Sequence, residues 1–192
     1  MRLQLCGAIG LAMAALLLGA APLRAARGEQ NATAERCGVN FQKPAQRVFA
    51  DATGRGKWTE YRDIRDAGDV NLDDGALARM WPGREGNTLV RIEQPGEDYS
   101  IFTDYCYEKS GGLIQTRFEV RTAWGWGFLE EGAVKDGAIS PETREYFDIT
   151  TRAKAGTPPE AADIREALTP RLYLQMSKLP FAKYLAAAAK SP

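Results

Sequence analysis

The sequence predicts an α+β fold: a curved antiparallel β-meander of about six to seven strands, followed by two or three C-terminal helices. Three observations carry this. Residues 113–128, LIQTRFEVRTAWGWGF, alternate apolar and polar side chains, with Ile114, Phe118, Val120, Trp124, Trp126 and Phe128 all at even positions; period-two alternation marks a strand with two unlike faces. Upstream, short runs rich in β-branched and aromatic residues recur between glycine, proline and aspartate turns. After Thr157 the apolar spacing changes to that of helices. The alternative is a sheet that closes into a lipocalin-like β-barrel with a C-terminal helix.

Taken in order, residues 1–25 read as a secretory leader, with Arg2 before an apolar run from Leu3 to Leu18 and small residues through Ala26. An uncleaved anchor is the alternative for this run, because its length is close to a membrane span. Residues 26–36 are polar and read as a disordered N-terminal segment, and 37–192 as a single α+β domain. Asn31-Ala32-Thr33 is a glycosylation sequon, meaningful only in a eukaryotic secretory pathway.

Residues 37–56 end in the turn-rich Thr53-Gly54-Arg55-Gly56 and predict a loop or one short helix. Strands are expected at 58–64, 75–81 and 88–93, the last two joined by a hairpin connection over Pro82–Asn87. Tyr99–Tyr107 is the next strand, and Ser110-Gly111-Gly112 turns it back into the long alternating run. A straight strand over that whole run would reach about 50 Å, too long for a small domain, so a bend or break is expected near Gly125 and Gly127. A turn at Asp136-Gly137 and a last strand over 145–151 follow. Thr157-Pro158-Pro159-Glu160 is a capping box for a helix through Leu168. A second helix is expected after Thr169-Pro170, carrying Leu172 and Met176. A third follows Pro180, with Phe181, Tyr184 and Leu185 on one face.

The leader carries Cys6 away, leaving Cys37 and Cys106, 69 positions apart, as one disulfide in an oxidising compartment. It also removes Arg2 and Arg24, leaving 23 of the 25 basic residues against 25 acidic ones. That even mixture has no basic stripe of the kind nucleic-acid binders show. The chain has no histidine, which removes the histidine-based nucleophilic pairs and most catalytic zinc sites. Phosphate-loop, dinucleotide and nucleophile-elbow motifs are missing too. These absences lean against an enzyme, and no cofactor is expected.

Asp69, Asn71 and Asp73 alternate as in the start of a calcium loop, but Asp74 stands where the loop needs glycine and Met80 where it needs glutamate. A solvated turn is the simpler reading of these weak metal candidates. Trp124 and Trp126 could stack on a sugar ring or line an apolar pocket, though plain core packing is the simpler reading, since half-buried antiparallel strands do this routinely. Arg117, Glu119 and Arg121 read as a solvated, cross-strand-paired face. On a curled sheet Arg117 and Arg121 would hold an anionic ligand.

The expected function is therefore non-catalytic binding of a small ligand or an envelope partner, outside the cytoplasm, in the periplasm or extracellular space. The ligand-binding candidates are Trp124, Trp126, Arg117, Arg121 and Tyr105. The alternatives are a carboxylate-dependent polysaccharide hydrolase, which would need two carboxyl groups about 5–9.5 Å apart across a cleft, and a structural or inhibitory surface protein. Membrane contact is expected only through the leader before cleavage.

Overall fold

Runs of β-branched and aromatic residues, punctuated by glycine, proline and aspartate turns, fold here as antiparallel neighbours along the chain. The computed structural model describes residues 31–68 and 75–188. Its strands are β1 (Arg47–Asp51), β2 (Thr59–Tyr61), β3 (Ala76–Pro82), β4 (Thr88–Gln94) and β5 (Tyr99–Tyr107). They continue as β6 (Leu113–Thr122), β7 (Trp126–Lys135), β8 (Ala138–Asp148) and β9 (Lys154–Ala155). All pair antiparallel in one sheet, ordered β2-β1-β3-β4-β5-β6-β7-β8-β9.

This is the expected sheet-rich architecture, with nine strands among the described residues. The closed barrel is corrected: β2 and β9 are edges, and strands of three and two residues offer too short a ladder to close on each other. β1 forms where a loop or short helix was expected, because the apolar residues Val48, Phe49 and Ala50 are all buried against its neighbours. The long alternating run breaks into a hairpin at Ala123–Gly125. Gly125 takes φ +88°, which favours glycine, and the Thr122 hydroxyl donates to the Trp126 carbonyl at 2.7 Å.

Among the described residues the helices are fewer and shorter than expected. The polar stretch before Cys37 is ordered where it is described, as α1 (Ala32–Cys37). Asn31 caps it through Ala34 N, and Gly38 ends it at φ +72°. The Cys37–Cys106 disulfide is present, with Cα atoms 5.6 Å apart, and ties α1 to β5. α2 (Ile64–Gly68) is a single turn. The helix expected through Leu168 is a 3₁₀ turn, Pro159–Ala162, followed by irregular turns. Pro159 and Pro170 bound too short a segment for a self-sustaining helix. The helix expected after Pro170 is extended chain instead, because its backbone bonds to the sheet: Leu113 N donates to Leu174 O, and Met176 N to Gly111 O. α3 (Ala182–Ala188) follows.

The two sheet faces are covered differently. The C-terminal segment from Thr157 to Phe181, here called the strap, crosses one face together with α3. Phe181 stacks on Phe49 there with ring centroids 4.4 Å apart, beside Trp58 and Leu179. On the other face, α1 packs Ala34 and Cys37 on Trp81, Leu89 and Cys106. No helix among the described residues is long and apolar enough to cross a membrane.

Candidate functional site

The five residues singled out from the sequence do not converge. Arg117 and Arg121 lie on the α1 face, as cross-strand neighbours of Asp104 and Ser100. Tyr105 lies on the strap face, donating through its hydroxyl to Arg171 O at 2.7 Å. Trp126 is buried on the strap face, while Trp124 stands at the hairpin tip, 45 % exposed, so it does not enter the core. The two indoles stack across the turn at 6.2 Å. Asp69, Asn71 and Asp73 lie outside the described residues, as does the leader. Among the described residues, no group of three or more Cys, Asp or Glu side chains is placed to hold a metal ion.

The α1 face corrects the solvated reading of Arg117 and Glu119, which are 4 % and 2 % exposed. A row of ionisable side chains crosses five strands there: Arg79, Arg91, Asp104, Arg117 and Glu131 are successive cross-strand partners. Asp104 accepts from Arg91 and from Asn31 Nδ2. Glu131 Oε1 accepts from Thr33 N and Oγ1 at 2.6 and 2.7 Å. The sequon residues Asn31 and Thr33 thus serve to dock α1. Glu119 accepts from Arg117, from Arg121 at 2.5 Å and from Arg152 at 3.0 Å. Burial raises its pKa, but the hydrogen bonds from Arg121 and Arg117 outweigh that and hold it down at about 2. A protein carboxylate therefore occupies the common focus of these arginines, where an anionic ligand had been considered.

The strap face has the opposite chemistry. An aromatic row runs from the hairpin tip along β7 and β8: Trp126 meets Tyr146 at 5.8 Å, Tyr146 meets Phe128 at 5.2 Å, and Phe128 meets Phe118 at 6.3 Å. Pairing of Phe128 with Tyr146 and of Glu130 with Arg144 sets this register. The row opens beside β9 into a cleft of about 400 Å3. Phe128 and Tyr146 form its floor, with Arg144 on the same side of β8; Lys154, the cross-strand partner of Phe147 and so on the other face of the strand, lines it from the sheet edge with Gly156 and Thr157. Lys154 lies 3.6 Å from Glu145, and Arg144 lies 3.8 Å from Glu130; both cations are largely exposed. Exposed pairs of this kind hold their partners weakly, so a ligand anion can compete for either cation. The indole Nε1 of Trp126 is buried and has no hydrogen-bond partner among the described residues.

Arg144, Tyr146 and Lys154 escape the sequence reading, which placed only a strand over 145–151 there. Their signal lay in the Asp136-Gly137 turn: a hairpin folded about it brings β8 residues opposite Phe128 and Glu130. The bulge between Glu131 and Gly132 shifts that register. No known protein family, curated protein or solved structure matches this chain.

Proposed function

We propose that this protein is an exported, non-catalytic binding module for a small anionic ring compound, held in the cleft over Phe128 and Tyr146. The observation that carries the reading is the cleft's composition: an aromatic floor with Arg144 on the same side of β8 and Lys154 at the adjoining sheet edge. Its volume of about 400 Å3 falls in the range usual for small-ligand sites. An aromatic floor accepts the flat face of a sugar or aromatic ring, and arginine pairs readily with a carboxylate. Among the described residues the lining carries one acid, Glu145, which offers little support to a hydrolase needing two. Export to the periplasm or extracellular space draws support from the Cys37–Cys106 disulfide and from the leader pattern of residues 1–25. A second reading, an envelope-protein partner, draws on Trp124, because exposed tryptophans often anchor interfaces.

Calorimetric titration with galacturonate and with neutral galactose tests the proposal. Galacturonate should bind saturably and more tightly than galactose, and the double variant Arg144→Gln/Lys154→Gln should weaken it at least tenfold. Equal affinity for the two sugars, or an unaffected double variant, contradicts the reading.

A further inference from the structure

The strap face holds a second hollow, of about 110 Å3, roofed by the strap between Thr169 and Pro180. Trp58, Ile92, Ile101 and Phe118 give it apolar and aromatic walls. Two hydroxyls lie in its floor, and both are engaged. Thr103 hydrogen-bonds to Tyr105, and Tyr105 donates to the Arg171 carbonyl at 2.7 Å. Two strap residues further on, Tyr107 donates to the Tyr173 carbonyl at 2.9 Å. These two bonds fix the strap backbone on either side of Leu172, and so fix where Arg171 leaves it. Arg171 is the one charged residue of the lining among the described residues. Its guanidinium sits 5.2 Å from the centre of the Tyr173 ring, at the exposed mouth.

We infer that this hollow is a binding site, distinct from the cleft, for a small monocarboxylate with a short apolar tail. The size sets the tail. A cavity of about 150 Å3 admits benzene, so this smaller one, of mixed polar and apolar lining, has room for a chain of about four carbons laid against Ile92, Ile101 and Phe118. The charge sets the head. A carboxylate buried among Ile92, Ile101 and Phe118 would lose its hydration and meet neutral donors at best, Gln94 and Thr169 being the lining's other neutral polar residues besides the engaged Thr103, Tyr105 and Tyr173. At the mouth it keeps water on one side and meets Arg171 on the other. The tail then covers walls that Ile92, Ile101 and Phe118 already hold in place.

Titration of the intact protein with butyrate and with 1-butanol, followed by calorimetry, tests this. Butyrate should bind saturably, at least tenfold more tightly than 1-butanol. Arg171→Gln, a change on the exposed strap surface, should bring butyrate down to the level of the alcohol. Ile101→Phe should fill the hollow and abolish binding of both, with the melting temperature confirming that the variant is folded. Arg144→Gln/Lys154→Gln, in the other cleft, should leave butyrate binding unchanged. The inference is overturned if butyrate does not saturate, if butyrate and 1-butanol bind alike, or if Arg171→Gln has no effect. It is also overturned if the Arg144/Lys154 double variant is the one that abolishes butyrate binding.

Discussion

Asp104 on β5 receives two hydrogen bonds from Arg91 on β4, from Nε at 2.6 Å and Nη2 at 2.8 Å, across directly opposed positions. The carboxylate is buried, and the guanidinium also lies 4.3 Å from the Phe41 ring centre. A fork-to-fork pair of this kind fixes geometry as well as charge. Removing one partner strands the other in a low-dielectric interior. Asp104→Ala should therefore cost about 3–5 kcal/mol. Replacing both, as Arg91→Met/Asp104→Leu, should cost clearly less than the sum of the two single changes. Urea unfolding of the singles and the double measures this, and additive losses would show that the pair is not coupled.

Glu119 ties acid stability to the same face. Its pKa is about 2 in the folded protein against an ordinary 4.5, so the unfolded chain binds its proton first as pH falls. The stabilisation is complete above pH 4.5 and is lost between there and about 2. A shift of that size corresponds to on the order of 3 kcal/mol. Unfolding free energies at pH 6, 4 and 2.5 should fall steeply for the native sequence and less steeply for Glu119→Gln. Parallel slopes would contradict this.

The disulfide closes 69 positions of chain and should contribute about 4 kcal/mol on the chain-entropy model. It also pins α1, a six-residue helix too short to persist alone. Cys37→Ala/Cys106→Ala should lower stability by up to that amount. Amide exchange should rise most over 32–37, ahead of the sheet. Uniform loss of protection would mean that α1 and the sheet open together.

Trp124 and Trp126 stack on each other yet should respond differently to truncation. Trp126 is buried among Val120, Phe128 and Ala161, so Trp126→Ala should cost about 3–5 kcal/mol. Trp124→Ala removes an exposed ring with one stacking partner and should cost about 1 kcal/mol. Thermal unfolding of the two variants gives the comparison directly. Equal losses would place Trp124 in the core after all.

Local features were legible where one chemistry decided them. β5 and the Ser110–Gly112 turn follow from alternation and glycine, the disulfide from a cysteine pair, and the face of Phe181, Tyr184 and Leu185 from helical spacing. The break in the long run was legible from its length and from Gly125, and the even phase survives it because Thr122 and Trp126 both face the strap across a turn of three residues. Burial of Arg117 and Glu119, by contrast, was hidden. Alternating charges look solvated, and the cover over this face comes from a polar stretch, Asn31–Cys37, some eighty residues earlier. The extended strap was missed because its backbone partners, Gly111 and Leu113, are likewise distant in sequence. The cleft needs the β7–β8 register, which turns on a single bulge.

The most direct test of the account is amide chemical-shift mapping of the intact protein titrated with galacturonate. The predicted result is a saturable set of shifts confined to 126–130, 144–147 and 153–157, around Phe128, Tyr146, Arg144 and Lys154. Shifts centred on Trp124 alone, or none at millimolar ligand, would contradict the assignment of the cleft as the binding site.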